Sequence, residues 1–95
     1  MSYRYKPVTV EAFVFDERSD RCCPEWFQTA LAKERVIINW RLQDGAARIY
    51  GCTFYNAKGK RTTDAFCGDY IIREPTGEIR KMRKKDFEIM FEKEG

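Results

Sequence analysis

Between Val8 and Phe15 the run VTVEAFVF alternates apolar and polar positions, is rich in β-branched and aromatic residues, and opens after Pro7. A period of two in residues of this kind predicts a strand packed on at least one face. The period changes after Pro24. In PEWFQTALAKE, Trp26, Phe27, Ala30 and Leu31 recur at helical spacing, with Pro24 at the first helical position and Glu25 in the first turn. That predicts a short amphipathic helix. The intervening DERSDR, Asp16 to Arg21, reads as a polar connection with nothing to bury.

Beyond the helix the pattern returns to strands broken by turn residues. VIINWRL stops at Gln43-Asp44-Gly45, AARIYGCTFY stops at Asn56-Ala57-Lys58-Gly59, and KRTTDAF runs into Gly68-Asp69. Each break supplies residues that tolerate tight turns. YIIR then meets Glu74-Pro75-Thr76-Gly77, and EIRKM returns as its hairpin partner. In DFEIMFE, Phe87, Met90 and Phe91 stand at i, i+3 and i+4 behind Asp86 as N-cap. This predicts a terminal helix docked by its apolar stripe, although the segment also alternates, leaving an edge strand as the alternative. Together the elements predict one α+β domain over residues 1–95: a small, mostly antiparallel, curved sheet of five to six strands, one helix after the first strand, and a short C-terminal helix.

Composition limits what such a domain can do. A chain of 95 residues buries about 60–65% of the surface its unfolded form exposes, so the core is thin. Two Trp, seven Phe and five Tyr supply much of that burial. A net charge of +3 with pI 8.7 is mild beside dedicated nucleic-acid binders, which run above about pI 9. With neither a secretory signal nor an apolar run near the roughly 18 residues of a spanning helix, the reading is a cytoplasmic protein with no membrane partner. Cys22, Cys23, Cys52 and Cys67 are then read as reduced thiols.

The chain contains no His and no Cys-x-x-Cys pair, so neither a metal nor a cofactor is expected. Acid–base catalysis without His requires a retuned carboxylate, Lys, Tyr or Cys. Cys22-Cys23 before Pro24 offers either a thiolate acidified at a helix N-terminus or a small apolar residue beside a poor N-cap, and the second reading is favoured. No phosphate-cradling Gly loop, Gly-x-Ser-x-Gly or His-Glu-x-x-His motif is present. The expectation is a protein that is not an enzyme.

The basic run Arg80-Lys81-Met82-Arg83-Lys84-Lys85 raises two readings. On a strand, Arg80 and Met82 face one side and Lys81 and Arg83 the other, so the cations line a single face only if the strand breaks at Met82. One reading is an edge strand protected by its cations. The other is an anion site joining Arg73, across the Pro75-Thr76-Gly77 turn, to Arg80, with Lys58, Lys60 and Arg61 as a second positive lobe. The candidate binding residues are therefore Arg73, Arg80, Lys81, Arg83, Lys84, Lys85, Lys58, Lys60 and Arg61. Tyr50, Phe54, Tyr55 and Tyr70 are read as core or sheet packing rather than base-stacking platforms. No helix-turn-helix pattern is present.

Three stretches carry a resemblance. Tyr3-Arg4-Tyr5-Lys6-Pro7-Val8-Thr9-Val10-Glu11-Ala12-Phe13, the helix opening Pro24-Glu25-Trp26, and Gly68-Asp69-Tyr70-Ile71-Ile72-Arg73 resemble a widespread group of small phage and prophage accessory proteins. Those proteins begin Tyr-Arg-Lys-Lys-Pro-Val-x-Ile-Glu-Ala-Phe and end with Pro-Gly-Asp-Tyr/Trp-Ile-Ile-Arg, Gly-Glu and Phe-Glu motifs. Gly77-Glu78, Phe87-Glu88 and Phe91-Glu92 fit that frame. Cys67 stands where the group has Pro, and Arg80-Lys81-Met82-Arg83-Lys84 replaces its Tyr-Pro-Cys-Lys-Pro. The resemblance implies a phage accessory protein acting in the cytoplasm of an infected bacterial host, and it brings no catalytic residues. The function expected is a host-defence antagonist, such as an anti-CRISPR-like inhibitor or a sponge for a signalling nucleotide. Its partner would be a host protein or nucleoprotein complex, or a phosphate-bearing nucleotide. Nucleic-acid binding, a virion or assembly role with oligomerisation, and a small Cys- or carboxylate-dependent enzyme are the alternatives.

Overall fold

The computed structural model describes residues 10–91. In chain order the elements are β1 (Glu11–Val14), α1 (Glu25–Ala32), β2 (Val36–Gln43), β3 (Ala46–Tyr55), β4 (Arg61–Phe66), β5 (Tyr70–Arg73), β6 (Ile79–Met82) and α2 (Lys84–Met90). The α+β class, the six strands and the positions of both helices follow the sequence pattern. Val8 and Thr9 of the first expected strand, and the opening residues of the phage-like motif, lie outside the described residues.

The strands divide between two antiparallel sheets, β1-β5-β6 and β2-β3-β4, instead of forming one curved sheet. Strands β2, β3 and β4 pair as a meander. Its first turn carries Asp44 and Gly45 at φ 51° and 78°, the left-handed pair that a two-residue hairpin of matching twist requires. Strand β1 instead reaches the far end of the chain, with Glu11 opposite Arg73 and Phe13 opposite Ile71. The pairing extends past the strand: the Phe15 N–H donates to the Asp69 carbonyl and the Gly68 N–H to that of Phe15, each at 2.8 Å.

Helix α1 begins one residue later than its sequence suggests. Pro24 is the N-cap, with ψ 153°, and its carbonyl accepts from the N–H groups of Phe27 and Gln28. At the other end Glu34 adopts φ 58°, the Glu34 N–H donates to the Leu31 carbonyl, and the Arg35 N–H donates to that of Ala30. This pair of bonds is a Schellman closure with a side chain where glycine is usual. A left-handed L-residue costs about 1–2 kcal/mol, so Glu34→Gly is expected to stabilise the fold by roughly 1 kcal/mol. The rise in urea midpoint at unchanged m-value measures it.

The core lies where α1 meets both sheets. Phe27 is fully buried and packs edge-on against Phe13 (centroids 4.9 Å apart), Phe15 (6.2 Å) and Trp26 (6.2 Å). From the β1 sheet Ile71 joins this cluster; from the meander come Val36, Ile49, Cys52, Phe54 and Ala65. The 16–21 connection also buries something, contrary to its polar sequence. Ser19 is fully buried, its hydroxyl accepting the Asp16 N–H at 2.9 Å, which satisfies both groups.

The far face of the meander carries a polar relay across three strands. Asn39 donates to the Thr53 hydroxyl (2.9 Å) and Thr53 to Asp64 (2.7 Å); Arg61 closes the series on Asp64. The Thr53 hydroxyl and the Arg61 guanidinium hold the Asp64 carboxyl below the usual carboxylate range.

Helix α2 starts at Lys84 with Arg83 as N-cap, so Asp86 falls in the first turn instead of capping it. Its docking is partial. Phe87 stacks on Tyr70 (3.9 Å, 13°) and on Phe91 (4.9 Å, 26°), whereas Met90 and Ile89 stay exposed. The expected stripe of Phe87, Met90 and Phe91 thus narrows to its two aromatics. Among the described residues no helix is long and apolar enough to cross a membrane.

Candidate functional site

Register decides which cations meet. In an antiparallel pair, directly opposed residues share a face. Arg73 opposes Ile79 while Arg80 opposes Ile72, so the two arginines lie on opposite faces of their sheet. The arginine pair expected across the Pro75-Thr76-Gly77 turn does not form. Arg73 stands on the core side in a row with Glu11, which it meets at 3.6 Å. Arg80 stands on the opposite face, across from the fully buried Ile72, and its Nε meets Glu74 at 2.8 Å.

The rest of the basic run is dispersed as well. Strand β6 ends at Met82, the break that a single cationic face would need, but the chain then winds into α2. Arg83, Lys84 and Lys85 become its cap and first turn. Lys81, half-buried, opposes Ile71 on the core side and helps to depress the Asp64 carboxyl. Arg61 is tied to Asp64. Lys58 and Lys60 sit exposed on the β3–β4 turn, where the Asn56 side-chain oxygen accepts both of their backbone N–H groups at 2.9 and 3.0 Å.

A different set of cations converges. A cleft of about 560 Å³ opens between the C-terminal half of α1, the start of β2, the β3–β4 turn and the β5–β6 turn. Its floor is apolar, from Ala30, Val36, Phe54 and Ile79. Around it stand Lys33, Arg35 and Arg73 and the aromatic residues Trp26 and Tyr55, with Glu78 the one acidic residue among the described residues that line it. The volume lies in the range of about 300–1,000 Å³ typical of small-molecule sites.

Each cation is placed by local structure. Lys33 is the C-cap of α1, where helix carbonyls favour positive charge. The Schellman closure directs the chain from Arg35 into β2, and the Arg35 carbonyl accepts the Tyr55 N–H at 2.8 Å. Arg73 arrives through the pairing of β5 with β1. Of the nine cations singled out from sequence, only Arg73 lines this cleft; Lys58 and Lys60 flank it on a neighbouring turn. Lys33 and Arg35 resemble ordinary charges at a helix end until β2–β3 pairing sets them beside the Asn56 turn.

The aromatics separate in the same way. Phe54 is core and Tyr70 is stacked on Phe87, as sheet packing implies, and Tyr55 is half-buried in the cleft. Tyr50 is 37% exposed beneath Arg41, whose guanidinium carbon lies 5.0 Å from the ring centre.

All four cysteines are free. Burial pushes the Cys52 thiol up to about 12 and raises those of Cys23 and Cys67 as well, which for Cys23 is the reverse of an acidified thiolate. Among the described residues no cluster of three or more His, Cys, Asp or Glu is arranged to hold a metal ion. No family model, no curated protein and no solved structure matches the chain.

Proposed function

We propose that this protein is a non-catalytic binding protein whose cleft takes a phosphate-bearing ligand, and that it serves a phage as an antagonist of host defence by sequestering such a ligand. The observation that carries the binding reading is the convergence of Lys33 and Arg35, from the α1–β2 connection, with Arg73, from β5, on one cleft with an apolar floor. Guanidinium and ammonium groups suit phosphate oxygens, and an apolar floor with Trp26 and Tyr55 suits the organic part of a nucleotide. The raised thiols of Cys23, Cys52 and Cys67 support a binding role over a nucleophilic one at those three positions. The phage-like motifs at the two ends of the chain support the biological setting.

Isothermal titration with nucleoside monophosphates and pyrophosphate tests the site. The wild-type protein is expected to bind, and the Lys33→Glu/Arg35→Glu variant to lose at least about 10-fold in affinity, as expected when charge-assisted hydrogen bonds are removed. Alanine at Arg80, Arg83 and Lys85 is expected to leave affinity unchanged. Loss of binding in that second variant would move the site to the basic run, and failure of every probe to bind would end the phosphate reading.

A protein target is the second reading. The outer part of the β2–β3 hairpin leaves Trp40 53% and Leu42 78% exposed, the kind of apolar surface that marks contact sites.

A further inference from the structure

Strand β2 is an edge of its sheet, and its sequence leaves that edge undefended. In an antiparallel ladder alternate residues direct their N–H and C=O to the neighbouring strand, and the others direct theirs away. The Arg35 carbonyl accepts the Tyr55 N–H at 2.8 Å, so Arg35 faces β3. The irregularity at Asn39/Trp40 skips Tyr50, on β3, which leaves the alternation along β2 unbroken. Val36, Ile38, Trp40 and Leu42 therefore turn their backbone groups outward, and among the described residues no strand lies beside them.

Such an edge is a template for another chain unless shortness, charge or Pro blocks it. The other edges are blocked in this way. Strands β1 and β6 have four residues each, with Glu11 on the first and Arg80 and Lys81 on the second, and β4 carries Arg61 and Asp64. Strand β2 has eight residues and one charge, Arg41. Ile37, Trp40 and Leu42 also stand exposed on it.

We propose that β2 pairs antiparallel with β2 of a second copy of this chain, joining two three-stranded meanders into one continuous sheet. A two-fold axis normal to the sheet makes the edge self-complementary. Directly opposed residues must share a face, so the axis passes through a residue opposed to its own copy. Charge then selects the register. Centring on Ile38 sets Arg35 opposite Arg41, and centring on Arg41 sets that residue opposite itself, and like charges directly opposed are destabilising. Centring on Asn39 or on Trp40 avoids both, and sets Ile38, Trp40 and Leu42 each opposite an apolar residue. Either register brings the Gln43-Asp44-Gly45 turn of one copy alongside the start of β2 in the other, where Arg35 and Val36 line the cleft.

Sedimentation velocity of the full chain, 11.3 kDa, over a range of micromolar concentrations tests the pairing, on the wild type and on Trp40→Lys/Leu42→Lys. The wild type is expected to reach twice the chain mass. Both substituted side chains are exposed in the single copy, so the variant should keep the wild-type urea midpoint and sediment as a monomer. Hydrogen exchange of the wild type separates edge pairing from contact between faces. On dilution, the amides of Ile38, Trp40 and Leu42 should lose at least about 10-fold in protection while those of Ile37 and Asn39, bonded to β3, hold theirs. A monomer at every concentration overturns the proposal, as does a dimer that persists in the variant. A dimer whose Ile38, Trp40 and Leu42 amides exchange as in the monomer overturns the edge pairing.

Discussion

Phe27→Ala is expected to lower stability by about 3–5 kcal/mol, the usual cost of emptying a buried aromatic site. Single domains have about 5–15 kcal/mol in total, so this one substitution removes between about a fifth and all of that margin. The reason lies in the position of the ring. Phe27 is fully buried and touches Phe13 and Phe15 on the β1 side while sharing a cluster with Ile49, Cys52 and Phe54 of the meander. Its removal unseats both sheets from α1. Urea denaturation followed by tryptophan fluorescence reports the loss directly, since Trp26 lies 6.2 Å from the Phe27 ring. Phe27→Leu keeps most of the volume and should cost about 1–2 kcal/mol, as volume-conserving changes do. A Phe27→Ala loss below about 1 kcal/mol would mean that the two sheets are held together elsewhere.

Gly51→Ala should be nearly as damaging for a different reason. Gly51 lies in the central strand of the meander, opposite Asn39 on one side and Phe66 on the other. A Cβ placed there falls inside the van der Waals envelope of the Ala65 carbonyl oxygen, with a Phe66 ring carbon at 3.4 Å. The oxygen is backbone, so relief requires β4 to shift away from β3. The expected cost is about 3 kcal/mol, at the upper end of what overpacking produces. A thermal midpoint within about 2 °C of wild type would show that the strand spacing yields easily.

Turn chemistry made much of this fold legible in the sequence. Asp44-Gly45, the Asn56–Gly59 turn and Pro75-Thr76-Gly77 bracket strands that emerge within a residue or so of their expected bounds. The division into two sheets was not legible, because nothing local in VTVEAFVF says that its mate is YIIR near the other end of the chain. The binding site was obscured by the same limit. Charge density along the chain favoured residues 80–85, yet a strand, its end and a helix start distribute those cations in different directions. Lys33 and Arg35 are separated from Arg73 by the whole of the β2–β3–β4 meander and come together only through long-range strand pairing. The buried Ser19 escaped notice because its satisfaction depends on the Asp16 turn closing over it.

The pairing of β1 with β5 also orders events as the chain is made. The meander is built from sequence neighbours and can close early, because short loops cost little entropy and local contacts form fast. Strand β1 leaves the ribosome before the meander and must wait for β5, since Phe13 pairs with Ile71. Until then Phe13 and Phe15 lack the strand that will cover them, and the nascent protein carries exposed aromatic surface of the kind that recruits chaperones. The cleft shares this delay: Arg73 lies in β5, so it joins Lys33 and Arg35 only once β5 has been made and has paired with β1.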